Sequence, residues 1–166
     1  MMWQKGGPAW DRQFELVVDV ELASPERGFF RRPYVAVWIE DPEGKPVRTL
    51  AAWLMNTRKG WRWLRDLRRW HRANLYIPDD QATAFLDAVS TPTRQPGKYT
   101  LSWDGTDDKK KTVAQGDYVV CIEAAREHGT YQLMKQPVAI GTKPFRNVLQ
   151  GNVEVASASV ELKRRK

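Results

Sequence analysis

The sequence predicts a mainly β protein: an immunoglobulin- or fibronectin-like β-sandwich with a short helical insertion at about residues 60–90. Three observations predict it. Segments rich in β-branched and aromatic residues alternate with polar ones along most of the chain. Clusters of Gly, Pro and Asp punctuate them at the spacing of a sandwich rather than of a helical bundle. Between residues 60 and 90 the apolar period changes from two to that of a helix. At 166 residues one domain with a sizeable core is expected, spanning 1–166, with residues 1–13 as a flexible N-terminus and 163–166 as a basic tail.

Phe14 to Leu22 alternates as a first strand, and Pro33 to Glu40 is a second. Asp41-Pro-Glu-Gly-Lys-Pro46 has the chemistry of a turn, because Pro sets φ and Gly permits positive φ. Val47 to Met55 then returns as the second arm of a hairpin. Across Gly60 to Arg72, Trp63, Leu67 and Trp70 fall at helical spacing with arginines on another side, which predicts an amphipathic basic helix. After Pro78 a second helix is expected, with Asp79 or Asp80 as N-cap and Ala82, Phe85, Leu86 and Val89 on one face. Ser90 to Gly97, with two prolines, ends it. Tyr99 to Ala124 reads as strand, Asp/Gly/Lys-rich loop and strand, and so predicts a hairpin. A turn at 126–129, a strand at 130–140, a loop at 141–151 and a last strand at 152–162 bring the expected number to about seven.

The net charge of +7 is unevenly distributed. Residues 58–72 and the tail Lys163–Lys166 carry the excess, and the remainder is mildly acidic. No run of apolar residues is long enough to span a membrane. Met1 to Pro8 lacks the apolar core of a secretory leader, which on its own reads as a cytoplasmic protein or as a chain whose leader has been removed. One cysteine, Cys121, excludes an internal disulfide, and its mid-strand place predicts a buried thiol.

Trp103-Asp-Gly-Thr-Asp-Asp108 followed by Val113-Ala-Gln-Gly-Asp-Tyr118 resembles the immunoglobulin-like domain of flagellar hook-capping proteins, which implies a sandwich. A resemblance covering most of the chain rests on Arg32-Pro-Tyr-Val-Ala-Val-Trp-Ile-Glu-Asp-Pro-Glu-Gly-Lys-Pro-Val-Arg-Thr-Leu50, Trp63-Leu-Arg-Asp-Leu-Arg-Arg-Trp70 and Ile122-Glu-Ala-Ala-Arg-Glu-His-Gly-Thr-Tyr131. These segments are similar to a bacterial family of predicted periplasmic proteins, domain of unknown function 2271. That resemblance implies an extracytoplasmic accessory or binding module. The family's genes are seen beside flavin-transferase and PepSY-type membrane genes, so it further implies a membrane redox or metal-uptake partner. Where the family reads Ser-Gly-Ala-Thr-Arg, this chain has Ser90-Thr-Pro-Thr-Arg94. The family pattern resembles the acceptor site of covalent flavin transferases, which makes Thr93 a candidate flavin attachment point. Thr91 and Pro92 stiffen this loop and remove an N–H donor.

Three further constellations carry chemistry. Arg58, Lys59, Arg62, Arg65, Arg69 and Arg72 interleave with Trp61, Trp63 and Trp70, which suits phosphate contact with base stacking or an anionic surface. The structural alternative is tryptophans packed on the sandwich beneath solvated or paired arginines. Nucleic acid is the less favoured polyanion, given the periplasmic resemblance. Cys121 and Glu123 share a strand face, and with His128 they outline a weak metal set without ligand-type spacing. Asp104, Thr106 and Asp108 mimic the start of a calcium loop. Lys109 and Gln115 stand where Gly and Glu are needed, so Asx turns are expected instead. No nucleophile elbow, phosphate loop or dinucleotide fingerprint occurs, and the expected protein is not an enzyme and has no resident cofactor.

Overall fold

The computed structural model describes residues 7–23, 32–54, 66–75, 78–126, 130–151 and 153–166. Within them the elements run β1 (Phe14–Leu22), β2 (Tyr34–Glu40), β3 (Pro46–Trp53), α1 (Arg68–Leu75), α2 (Asp79–Val89), β4 (Ser90–Thr91), β5 (Gly97–Trp103), β6 (Gly116–Ala125), β7 (Tyr131–Ile140), β8 (Phe145–Gln150) and β9 (Val155–Arg164). The strands form two sheets, ordered β5-β1-β9-β8 and β4-β3-β2-β6-β7. All described pairings are antiparallel except β3 with the two-residue β4. The expected sandwich is therefore present.

Its main core lies between the sheets. Leu16, Val18 and Val20 of β1 and Val160 and Leu162 of β9 meet Val35, Val37 and Ile39 of β2 and Val120 and Ile122 of β6. A second apolar layer lies on the other side of the five-stranded sheet. There Tyr34, Ala36, Trp38, Cys121 and Ala125 pack against Leu67, Trp70 and Leu86. This second layer explains why every residue of β2 is buried. A strand covered on both faces loses the polar alternation of a half-exposed one.

The segment expected to be a hairpin at 99–124 is instead a crossing between sheets. β5 pairs with β1, with Leu16 opposite Trp103, whereas β6 pairs with β2 and β7. The connection from Asp104 to Gln115 is too long for a tight hairpin, whose loops hold two to about five residues. It closes on itself through a Thr106–Thr112 bridge. Trp10 fills the arch. Its ring lies 4.8 Å from that of Trp103, and its backbone N–H donates to Val113 O at 2.9 Å. Gly105, at φ +82, packs so closely that a Cβ there would stand 2.1 Å from the Trp10 ring. Residues 9–13, expected to be part of a loose terminus, are thus tied into the fold: Ala9 bridges Ala114, and Trp10 is buried.

Further expectations shift. The loop expected at 141–151 contains β8, which pairs with β9 from Phe145↔Leu162 to Gln150↔Ser157. Gly141, Pro144 and Gly151 flank a strand short enough to be hidden by its punctuation. The last strand runs from Val155 to Arg164, later than expected. Among the described residues there are nine strands, the additions being β4 and β8. The helical insertion is present as α1 and α2. Of the first predicted helix, Trp63 lies outside the described residues, and α1 begins at Arg68. Neither Asp79 nor Asp80 is the N-cap of α2. Pro78 holds that place without a side-chain bond, its carbonyl accepting from Ala82 N at 2.9 Å. Asp80 sits in the first turn, where a carboxylate favours the helix dipole.

Candidate functional site

The outward face of the five-stranded sheet carries two buried carboxylates, Glu40 at the end of β2 and Glu123 in β6. The pleat sends Val120, Ile122 and Ala124 to the sandwich core and Cys121 and Glu123 to the opposite side, under α1. Both carboxylates are bound by that helix.

Glu123 caps it. Its Oε1 accepts the backbone N–H of Trp70 at 2.9 Å, and its Oε2 accepts that of Arg69 at 2.9 Å and the hydroxyl of Tyr131. The first amides of a helix have no partner within it, and a carboxylate satisfies both their hydrogen bonds and the positive end of the dipole. Burial, reinforced by the bond to Glu123, pushes the Tyr131 phenol above its ordinary range. The Arg68 guanidinium lies 4.4 Å from the Tyr131 ring centre.

Glu40 grips the next side chain. Arg69 donates from Nη2 to Oε1 at 2.7 Å and from Nε to Oε2 at 2.9 Å, a bidentate pair. Trp38 Nε1 donates to the same Oε2 at 2.9 Å. One helical step on, Trp70 Nε1 donates to Thr49 Oγ1 of β3 at 3.2 Å, and Asn74 Nδ2 donates back to Trp70 O at 3.1 Å. Four strands, β2, β3, β6 and β7, thereby hold three successive residues of the insertion. Burial, followed by the neighbouring Glu40 charge, pushes the Cys121 thiol up to about 12, so it stays protonated and unreactive at neutral pH.

A separate buried pair closes the opposite part of the sheet. Arg126, at the end of β6, binds Glu154 through both Nε and Nη2, and Gln132 Oε1 accepts Val155 N at 3.0 Å. Arg126 therefore pairs across to the start of β9, while Glu127 and His128 lie outside the described residues.

Arg58, Lys59, Trp61, Arg62, Trp63 and Arg65 of the anion-binding set also lie outside the described residues. Two of its members take the structural alternative. Trp70 is fully buried and has no face for a base, and Arg69 is committed to Glu40. Arg72 is exposed. Of the metal set, Cys121 is a core thiol, and Glu123 already accepts three hydrogen bonds, from two helix amides and Tyr131. Among the described residues no group of three potential ligands is gathered. The Asp104 loop forms the expected Asx turns: Asp104 Oδ1 accepts Thr106 N at 3.0 Å, and Asp107 Oδ1 accepts Lys109 N at 2.8 Å and Lys111 N at 3.0 Å.

Thr93 is half-buried in the loop between β4 and β5. That loop folds over itself, with Arg94 donating to Pro92 O and, at 3.3 Å, to Thr91 Oγ1, and lying 5.3 Å from the Trp53 ring centre. Glu40, Trp38, Thr49 and Tyr131 were absent from the sequence-derived set. The available signal was a glutamate at the end of two wholly apolar runs, Tyr34–Ile39 and Val119–Ile122, since a charge there needs a buried partner.

A family model described as a predicted periplasmic protein (DUF2271) matches residues 15–157. No curated protein and no solved structure matches the chain. No helix among the described residues is long and apolar enough to cross a membrane.

Proposed function

The chain belongs to this predicted periplasmic family, and from that premise we propose that it works outside the cytoplasm as a non-enzymatic accessory module whose helical layer engages a membrane partner. The partner class is a flavin-based redox or metal-uptake protein, from the family's gene neighbourhood.

The observation that carries this reading is the double clamp of Glu40 and Glu123 on α1. A buried ion pair adds little stability beyond what apolar packing of the same volume supplies. What it does supply is register, because a slide of one residue would unmake the Arg69 fork, the two capped amides and the Trp70–Thr49 bond together. A helix so fixed presents the same exposed side chains, Arg68 and Arg72, in one geometry, as a recognition surface requires.

The test is photocrosslinking from position 72 in whole cells, followed by identification of the captured protein. A membrane redox or uptake protein, lost with Arg68→Glu/Arg72→Glu, supports the reading. Capture that ignores those charges, or a cytoplasmic partner, defeats it. Intact mass after co-production with a flavin transferase should be unchanged. An adduct of flavin-nucleotide mass that disappears in Thr93→Val would replace the accessory role with that of a flavin carrier.

A further inference from the structure

Five segments meet at one end of the sandwich: residues 7–13, the β2–β3 turn at 41–48, the arch at 104–117, the β7–β8 turn at 141–144 and the tail at 163–166. Strand pairing puts them there, with Phe14 opposite Arg164, Gly116 opposite Ile140 and Phe145 opposite Leu162. Direct bonds join them. Asp108 N donates to Val47 O at 3.0 Å, Gln115 N to Pro8 O at 2.7 Å and Arg165 N to Gln13 O at 2.7 Å.

These segments hold eleven cationic side chains and seven carboxylates, and nine of the cations but only four of the carboxylates, Glu43, Asp104, Asp108 and Asp117, are exposed. Five carboxylates turn back to close the loops. Asp11 accepts Gln13 N, Asp41 accepts Glu43 N and Lys45 N, Asp104 accepts Thr106 N, Asp107 accepts Lys109 N and Lys111 N, and Asp108 accepts Thr49 N. Glu43 and Asp117 are the other two, both exposed. Lys109, Lys110 and Lys111 stand exposed at the tip of the arch, with Lys45, Lys143 and the tail beyond Lys163 exposed around it. An approaching body therefore meets a net excess of cations.

We propose that this end of the sandwich rests on an anionic phospholipid surface. The exposed cations are spread over five separate segments rather than ranked along one groove, which suits a plane of phosphates better than a single nucleic-acid strand. Of the aromatics described at this end, Trp10, Phe14, Trp103 and Tyr118 are buried and Phe145 is half-buried, so among the described residues none stands fully exposed as a stacking platform for bases. Basic residues near an anionic bilayer each contribute about fivefold in partitioning. The surface adjoins the helical layer at the β2–β3 turn, where Gly44 packs beside Arg69, and it does not use Arg68 or Arg72.

The test is co-sedimentation of the full chain with phosphatidylcholine vesicles, with and without phosphatidylglycerol. Binding is expected only to the anionic vesicles and is expected to vanish at high salt. Lys109→Glu/Lys111→Glu should weaken it by about 25-fold or more, at about fivefold per lysine lost. Lys98→Glu/Lys135→Glu changes net charge equally, away from this end, and should leave most of the binding intact. Equal losses in the two variants, no binding to anionic vesicles, or binding to a single-stranded oligonucleotide in place of vesicles would each overturn the proposal. Because the vesicles contain no protein, failure here leaves the crosslinking result of the helical layer untouched.

Discussion

The carboxylate of Glu123 accepts the backbone N–H of Trp70 at 2.9 Å, so a β-strand caps a helix that precedes it by 53 residues. The same group holds the Arg69 amide and the Tyr131 hydroxyl. Helix α1 has no acidic residue in its own first turn, and the sheet supplies the charge that its N-terminus lacks.

Removing that cap should loosen the helix before the sandwich. Glu123→Ala leaves two helix amides and a phenol without a partner, and is expected to destabilise the protein by about 3 kcal/mol. Urea unfolding measures the loss. Hydrogen exchange should accelerate at Arg69 and Trp70 and stay slow in β2. Glu123→Gln keeps one acceptor and should cost less than Glu123→Ala. An unchanged urea midpoint in Glu123→Ala would remove the capping role.

The Glu40–Arg69 pair should respond asymmetrically. Glu40 is buried, whereas the Arg69 side chain keeps about a third of its exposure. Arg69→Met leaves a buried carboxylate without its cation, held by Trp38 Nε1 beside the Cys121 thiol, and is expected to cost about 3 kcal/mol. Glu40→Gln leaves an arginine able to reach water and should cost about 1 kcal/mol. The double variant should cost less than the sum of the single ones. The reverse order in denaturation midpoints would mean that the packing of the arginine stem, not the buried charge, dominates.

Stability should fall on the alkaline side. Burial raises Cys121 from 9.0 to about 12 and Tyr118 from 10.0 to about 12, and it raises Tyr131 with help from Glu123. The unfolded chain loses these protons first, so between about pH 9 and 12 it binds fewer protons than the native state. The contribution is fully present below pH 9 and is lost as pH rises towards 12. Unfolding free energies across that range measure it. A thiol reagent at pH 8 should leave native Cys121 unmodified and react once the chain is denatured.

Gly105→Ala should open the arch. The backbone stands at φ +82, and the new Cβ would overlap the Trp10 ring. Both effects act in one direction, for an expected loss of about 2 kcal/mol or more. Near-ultraviolet circular dichroism reports the Trp10–Trp103 pair directly. If the signal and the melting temperature are both retained, the contact with Trp10 is not what restricts this position.

The strands that a period-two pattern could reveal were legible: β1, β2 and β7 fall where alternation and punctuation put them. Sheet membership was not. The length of the 104–115 link argues against a tight hairpin, but which distant strand, β1 or β2, offers each arm its complementary edge is not written locally in Tyr99–Ala124. The site failed to show for a related reason. Glu123 beside Cys121 looks like a metal pair when only its own strand is read, and its real partners, two amides of α1 and the Tyr131 hydroxyl, become neighbours only after folding. The arginines of the insertion were visible as a charge pattern. That Arg69 is already neutralised by Glu40, 29 positions away, was not.

The two residues of β4 have a wider consequence. Ser90 and Thr91 run parallel to Ala52 and Trp53, and Leu54 N donates to Thr91 O at 2.8 Å. The chain leaves β3 and, some 36 residues later, comes back to the same spot on the same strand. The excursion is sealed at its root by β4 and pinned again in its middle, where Arg69 and Trp70 are held by Glu40, Glu123 and Thr49. The segment is therefore no exchangeable cassette: a foreign helical pair cut to the same two ends would leave two buried glutamates without their helix partners unless it carried the same arginine and the same capped amides.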